Sequence, residues 1–473
     1  MKQYYMRNTF INRQISKQFL LVVTICCFSL SCNNILDVDI PANKAVGDEL
    51  FKNKESAETA VLGIYSAIAG TSNVFAGVIT SYTAIYADEA FFTGQAISAQ
   101  EFYNGAISTT NTILETNFWN NSYKIVYQIN ACLEKLNKST VLSNAIKNQL
   151  SGECMFLRAF IYFQMIQLFG AVPLITVTDY RVNENMPRTE PGAIRKSILT
   201  DLLSAKDLLS DAYPGTERAR ANKSTASALL ARYYLHQQQW QDAEKEASSI
   251  INTGHYRLTA LDDVFLANSD EAIFQIQPVL AGYNTMEGNN FIPTEAGRPS
   301  YALTTYLRDA FEVNDKRWNS WVKGKVSDGI TYYYPFKYKR KADFTSNPKP
   351  VEYNMIFRLA EILLIRAECR VHLNFLPGAI ADLDAIRQRA GLPLIQTAYP
   401  NISAAELSEK IAQERRIEFF IEGGHRWLDL KRTGKASETL KQVKSDWKVT
   451  KELWPIPQAQ RVLNPALTQN DGY

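Results

Sequence analysis

Two stretches, far apart in the chain, carry the same spacing of residues. Ala231, Leu235, Trp240, Ala243 and Ala247 stand at offsets 0, 4, 9, 12 and 16, and Ala367, Val371, Leu376, Ala379 and Leu383 stand at the same offsets. Residues four apart share one face of an α-helix, so each set describes two helices joined by a turn, with small side chains where the axes cross. Such a hairpin leaves an apolar face uncovered and has to be stacked on others. The spacing predicts an array of helical hairpins rather than an isolated pair.

The remaining pattern agrees. At 46% hydrophobic and 21% charged residues, the 473-residue chain is too apolar to stay disordered. Apolar residues recur with helical period at Ala57, Ala60, Val61, Ile64, Tyr65 and Ile68, and a further helix is expected across Tyr123 to Leu136. The run Leu150 to Phe169 is apolar on nearly every side, which suits a helix enclosed by others, and Gly170 then ends it. The fold class expected is mainly α, a tetratricopeptide-like array of about four helical hairpins with a long loop-rich, irregular insertion. The scaffold is expected over about 50–254 and 351–432, the insertion over about 255–350, and a C-terminal segment over 433–473. Within the insertion, one strand is expected at Ala272 to Gln277. Insertions of this length are usually functional.

The first 31 residues read as a leader. Lys2, Arg7, Arg13 and Lys17 precede the apolar run Phe19 to Leu30, which is too short to span a bilayer comfortably. Ser31-Cys32 follows and resembles the bacterial lipobox, in which the cysteine thiol is lipidated and the chain is cut just before it. Ordinary cleavage near Ser31 is the alternative, since Ser29 stands where a larger aliphatic residue is usual. The net charge of +3 includes those four leader cations, so the rest of the chain is close to neutral and nucleic acid is not an expected partner. Cys132, Cys154 and Cys369 are too widely spaced to read as a disulfide framework or a metal site. Cys154 and Cys369 fall in helical patterns and are expected in the core.

Blocks spread along the chain point to a family. After Cys32 come Ile35-Leu-Asp37 and Pro41; the enclosed helix holds Phe156-Leu-Arg-Ala-Phe-Ile-Tyr-Phe163 and leads into Leu168-Phe-Gly-Ala-Val-Pro-Leu174. Downstream stand Arg358-Leu-Ala-Glu-Ile-Leu-Leu-Ile-Arg-Ala-Glu368 and the block from Glu414 to Arg432, and the chain closes with Leu453-Trp-Pro-Ile-Pro457 and Asn464 to Tyr473. Together these resemble the SusD/RagB family of nutrient-binding outer-membrane lipoproteins of Bacteroidetes. The resemblance implies a lipid-anchored helical protein that closes like a lid over a SusC-like TonB-dependent outer-membrane transporter. It implies binding of glycans, or in some relatives peptides, without chemistry and without a cofactor. The placement expected is the outer membrane, facing the cell surface; attachment facing the periplasm is the alternative, because Asn33-Asn34 rather than acidic residues follow Cys32.

The chemistry the residues offer is consistent with binding. Asp88-Glu89 and Asp262-Asp263 are the adjacent acid pairs one might propose for glycoside hydrolysis, but such pairs are common in loops and helix starts. His236, His255, His372 and His425 are scattered, with no metal-ligand spacing. Glu361 and Glu368 on a mainly apolar helix are expected to pair with arginines, and Glu418 and Glu422 to share one helical face opposite Arg426, Asp429 and Arg432. Aromatic residues cluster outside the helices: Phe91-Phe92 with Gln95, Tyr301, Trp318, Trp321 and Tyr332-Tyr333-Tyr334. Flat rings stack on the C–H faces of sugars, and Gln95, Asp315, Arg317 and Asn319 could serve sugar hydroxyls, so this set is the candidate ligand platform. Packing within the loop region is the competing role for each ring, and for Trp119, Trp427 and Trp454 packing is the expected one.

Overall fold

From Lys54 the amphipathic pattern coils as its period requires. The computed structural model describes residues 51–70, 74–346 and 348–473; the leader, Cys32 and Ile35-Leu-Asp37 lie outside them. Helix α1 (Lys54–Ile68) is capped by Asn53, whose side chain accepts from the Ser56 amide, and buries Ala57, Val61, Ile64 and Ile68. Helix α2 (Ile79–Tyr86) leads to the short strand β1 (Ala90–Phe92). The scaffold continues with α3 (Asn121–Lys138), α4 (Asn144–Phe169), α5 (Pro191–Leu208), α6 (Lys223–His236) and α7 (Trp240–Ile251). From Leu150 onward helix α4 is buried on nearly every side, and it stops at Gly170, whose φ of 70° is a left-handed conformation that glycine adopts without a Cβ penalty.

The stretch expected as irregular is built on strands. It contains β2 (Ala272–Ile276), β3 (Tyr301–Leu303), the short helix α8 (Lys316–Trp321) and the hairpin strands β4 (Val322–Ser327) and β5 (Ile330–Pro335). Strand β6 (Asn354–Arg358) then runs straight into α9 (Leu359–His372). All pairings are antiparallel: β1 with β3, β2 with β6, and β4 with β5. The strand expected at Ala272 is therefore present, whereas the placement of Tyr332 to Tyr334 in a loop is corrected: Asp328 and Gly329, both at positive φ, form a tight turn that pairs their flanks as a hairpin.

Helices α10 (Leu376–Ala390), α11 (Ala404–Glu418), α12 (His425–Arg432) and α13 (Ala436–Val443) complete the array. The repeated positions do what their spacing asks. Ala231, Ala243, Ala247, Ala367, Ala379 and Leu383 are fully buried where α6, α7, α9 and α10 stack in turn. Guanidinium forks fasten neighbouring helices, buried for Arg232 to Glu361 at 2.6 Å through both nitrogens and partly buried for Arg158 to Asp201 and Arg366 to Asp382. Glu368 likewise receives Arg432 at 2.6 and 2.8 Å. Helix α11 ends at Glu418, so Glu422 is not on its face; the two carboxylates instead converge on Arg358, at 2.5 and 2.7 Å.

Arg358 belongs to a larger buried network. It also meets Glu271, while Arg317 meets Asp315, Glu414 and Glu418, Arg389 meets Glu271 and Glu418, and Lys337 meets Glu422. These residues come from the insertion, from the scaffold and from the C-terminal third, so the network fixes the insertion to the array. Cys132, Cys154 and Cys369 are buried, as are Trp119, Trp427 and Trp454. Among the described residues no helix is long and apolar enough to cross a membrane.

Candidate functional site

Side chains alternate across a strand, and β1 divides its two phenylalanines accordingly. Phe92 turns inward against Tyr301 at 5.4 Å between ring centroids, and Tyr301 packs on Phe291 at 5.5 Å. Phe91 turns outward and meets Tyr332 of the β4–β5 hairpin at 6.3 Å. The next hairpin residue, Tyr333, lies 5.2 Å from Trp318 on α8, and the Arg308 guanidinium sits 5.3 Å from its ring centre. Thr304 caps the single helical turn Thr305–Arg308 directly after β3, which carries Tyr306 and Arg308 to the same place. The result is a cleft of about 390 Å³ lined by Phe91, Tyr103, Tyr306, Arg308, Tyr332 and Tyr333. Tyr306 is 47% exposed, and its hydroxyl donates to the Gln442 carbonyl at the end of α13.

The far wall holds Asp88 and Lys444. Burial raises the Asp88 carboxyl, but Arg426, at 2.7 and 2.8 Å, and Arg416, at 2.9 Å, outweigh it and hold the group below its usual range. Its neighbour Glu89 is pushed by burial up to about 8, although the Ile421 amide donates to it at 3.0 Å. The adjacent acids are thus spent on structure, one in a double ion pair and one inside the core. Burial lowers Lys444 to about 7, and its ammonium donates to the carbonyls of Ile85 and Tyr103.

Of the aromatic set expected as a platform, Phe91, Tyr332, Tyr333 and Trp318 come together. Trp321 does not take part. It is fully buried, with its indole nitrogen donating to the Leu261 carbonyl at 2.9 Å, and a ligand cannot reach it. Arg317 is corrected in the same way: it is 1% exposed and saturated by Asp315, Glu414 and Glu418, because α8 turns that face into the ionic network. Tyr334 and Tyr301 are buried, and Phe92 packs on Tyr301. Gln95 and Asn319 are exposed but lie outside the lining of the cleft. Tyr103, Lys444, Tyr306 and Arg308 are among the cleft residues that sequence reading missed. A signal for the last two was present in Thr304-Thr-Tyr-Leu-Arg308, where a capping threonine opens a turn that buries Leu307 and presents its neighbours.

Two other clefts lie against α11. One, of about 250 Å³, is walled by arginines already committed to Asp88, Asp429 and Glu368. The other, of about 600 Å³, has Tyr399 as its one ring, and Lys410 sits 4.7 Å over that ring. Neither gathers aromatic faces.

Comparison with known proteins places this geometry. Residues 314–473 match the model of the SusD family, and residues 48–235 match a model described as starch-binding and associating with the outer membrane. A SusD-like protein of Formosa agariphila is 22% identical over 96% of this chain and 98% of its own. The starch-binding protein SusD of Bacteroides thetaiotaomicron is 22% identical over 72% of this chain and 75% of its own. A SusD superfamily protein from Bacteroides vulgatus superposes with a TM-score of 0.79 at 23% identity, over 90% of this chain and all of that one. A laminarin-binding SusD-like protein superposes at 0.74 with 24% identity, over 89% and 100%. These likenesses establish a common fold.

Proposed function

Because the chain belongs to the SusD family, we propose that it captures an oligosaccharide at the outer membrane, in the cleft of Phe91, Tyr306, Tyr332 and Tyr333. The observation that carries this reading is the convergence of rings from three separate segments on one open cleft, together with an exposed Tyr306 that no core requires. Apolar faces beside fixed polar groups suit a sugar, whose C–H face stacks while its hydroxyls are bonded. The names of the relatives, starch-binding and laminarin-binding, support the ligand class. In this reading Cys32 carries the lipid anchor, the captured sugar passes to a SusC-like transporter, and the protein performs no catalysis.

Calorimetric titration against oligosaccharide and peptide panels, with each mixture checked afterwards for cleavage, tests it. One sugar class should saturate the protein and remain intact. Tyr306→Ala or Tyr332→Ala should weaken binding about threefold to tenfold, the scale of a lost aromatic contact. Binding confined to peptides, or release of shortened sugars, would overturn the proposal, and silence across both panels would leave a purely structural lid.

A further inference from the structure

The arginines of the scaffold forks and of the buried ionic network end on carboxylates; Arg308 does not. Its guanidinium lies over the Tyr333 ring in the cleft wall, half-buried, and among the described residues no Asp or Glu pairs with it. Its Nε is buried without a hydrogen-bond partner. A guanidinium presents a planar fork of donors matched to two oxygens of one anion, and against an aromatic face it is held ready without a counter-charge.

The other charges near the cleft do not supply that counter-charge. Asp88 is shared between Arg416 and Arg426, so the carboxylate on this wall carries two cations of its own. Lys444 is itself a cation, and it faces the carbonyls of Ile85 and Tyr103, which take two of its three donors. What remains unanswered is one positive fork beside the rings of Tyr306, Tyr332 and Tyr333. We infer that the cleft selects an acidic oligosaccharide, with a carboxylate or sulfate group of one sugar received by Arg308 while the adjoining residues of the chain stack on the rings. The inference rests on the glycan-capture reading of the cleft and narrows it to a charged class.

Titration of the intact protein with three oligosaccharides of similar length tests it: a neutral β-glucan, an oligogalacturonate carrying carboxylates, and a carrageenan fragment carrying sulfates. At low salt at least one acidic sugar should bind about tenfold or more tightly than the neutral one, the scale of one charge-assisted pair. That advantage should shrink when about 0.5 M sodium chloride screens the pair. Arg308→Gln should bring the ratio of acidic to neutral affinity close to one, and Arg308→Lys should restore part of it, with thermal melting confirming that both variants fold. Which of the two acidic sugars wins separates carboxylate from sulfate recognition. Neutral sugar bound as well as both acidic ones, or a ratio untouched by Arg308→Gln, would overturn the inference while leaving glycan capture standing. No binding of any of the three, with another sugar class bound in the wider panel, would overturn the inference alone, and silence across that whole panel would remove both.

Discussion

At the scale of single residues, the molecule depends on charges that never see water. Glu418 is fully buried among Arg317, Arg358 and Arg389; burial alone would raise its carboxyl, and the three guanidinium groups instead hold it well below the usual range. Removing one partner of such a cluster strands the others. Glu418→Gln should therefore cost about 3–5 kcal/mol, read as a lower midpoint in urea. Glu89 works in the opposite sense. Its carboxyl is raised to about 8 in the folded protein, above its unfolded value, so its contribution to stability is complete at acid pH and is lost as pH rises through 8. Denaturation midpoints between pH 5 and pH 8 should fall more steeply for the native protein than for Glu89→Gln. Trp318 and Trp321 show where sequence reading stops at this scale. They sit three residues apart on one short helix, yet one packs on Tyr333 and the other donates to the Leu261 carbonyl, a partner some sixty residues upstream that no local pattern announces.

At the scale of elements, what is periodic was legible and what is paired at a distance was not. The alanine spacing of α6–α7 and α9–α10 states its own packing, since helices close their hydrogen bonds locally and expose one face by arithmetic. The pairings of β1 with β3 and of β2 with β6 join segments far apart in sequence and leave no trace in either. The β4–β5 hairpin did leave one, the Asp328-Gly329 dipeptide between alternating residues, and it is the element that turns a supposed loop of tyrosines into a wall. Gly329 at φ 75° is costly for any β-branched residue. Gly329→Val should weaken sugar binding and raise hydrogen exchange over Val322–Pro335, while the helical scaffold keeps its protection.

At the scale of the whole molecule, the cleft is an assembly. Phe91 arrives from the first fifth of the chain, Tyr306, Arg308 and the hairpin from the insertion, and Lys444 from beyond α13, while the buried ions hold insertion and scaffold in register. The anchoring and the recognition proposed here therefore fall to separate parts of the chain. Cys32→Ala should shift the protein out of the membrane fraction yet leave its affinity for sugar, measured on the released protein, within about twofold, because no cleft residue lies near that end of the sequence. Retention in the membrane fraction would remove Cys32 as the anchor.

Burial along β5 runs from exposed Ile330 and Thr331, through half-buried Tyr332 and Tyr333, to buried Tyr334 and Pro335. The strand thus has a fixed root and a free tip, and the two tyrosines that line the cleft lie between them. Substitutions there alter what is gripped at little cost to folding, whereas the same changes at Trp321 or Arg317 would threaten the fold itself. On the glycan-capture reading of the cleft, this is the part of the protein open to innovation: a new sugar can be met by different side chains on the hairpin while the helices and their buried ions stay undisturbed.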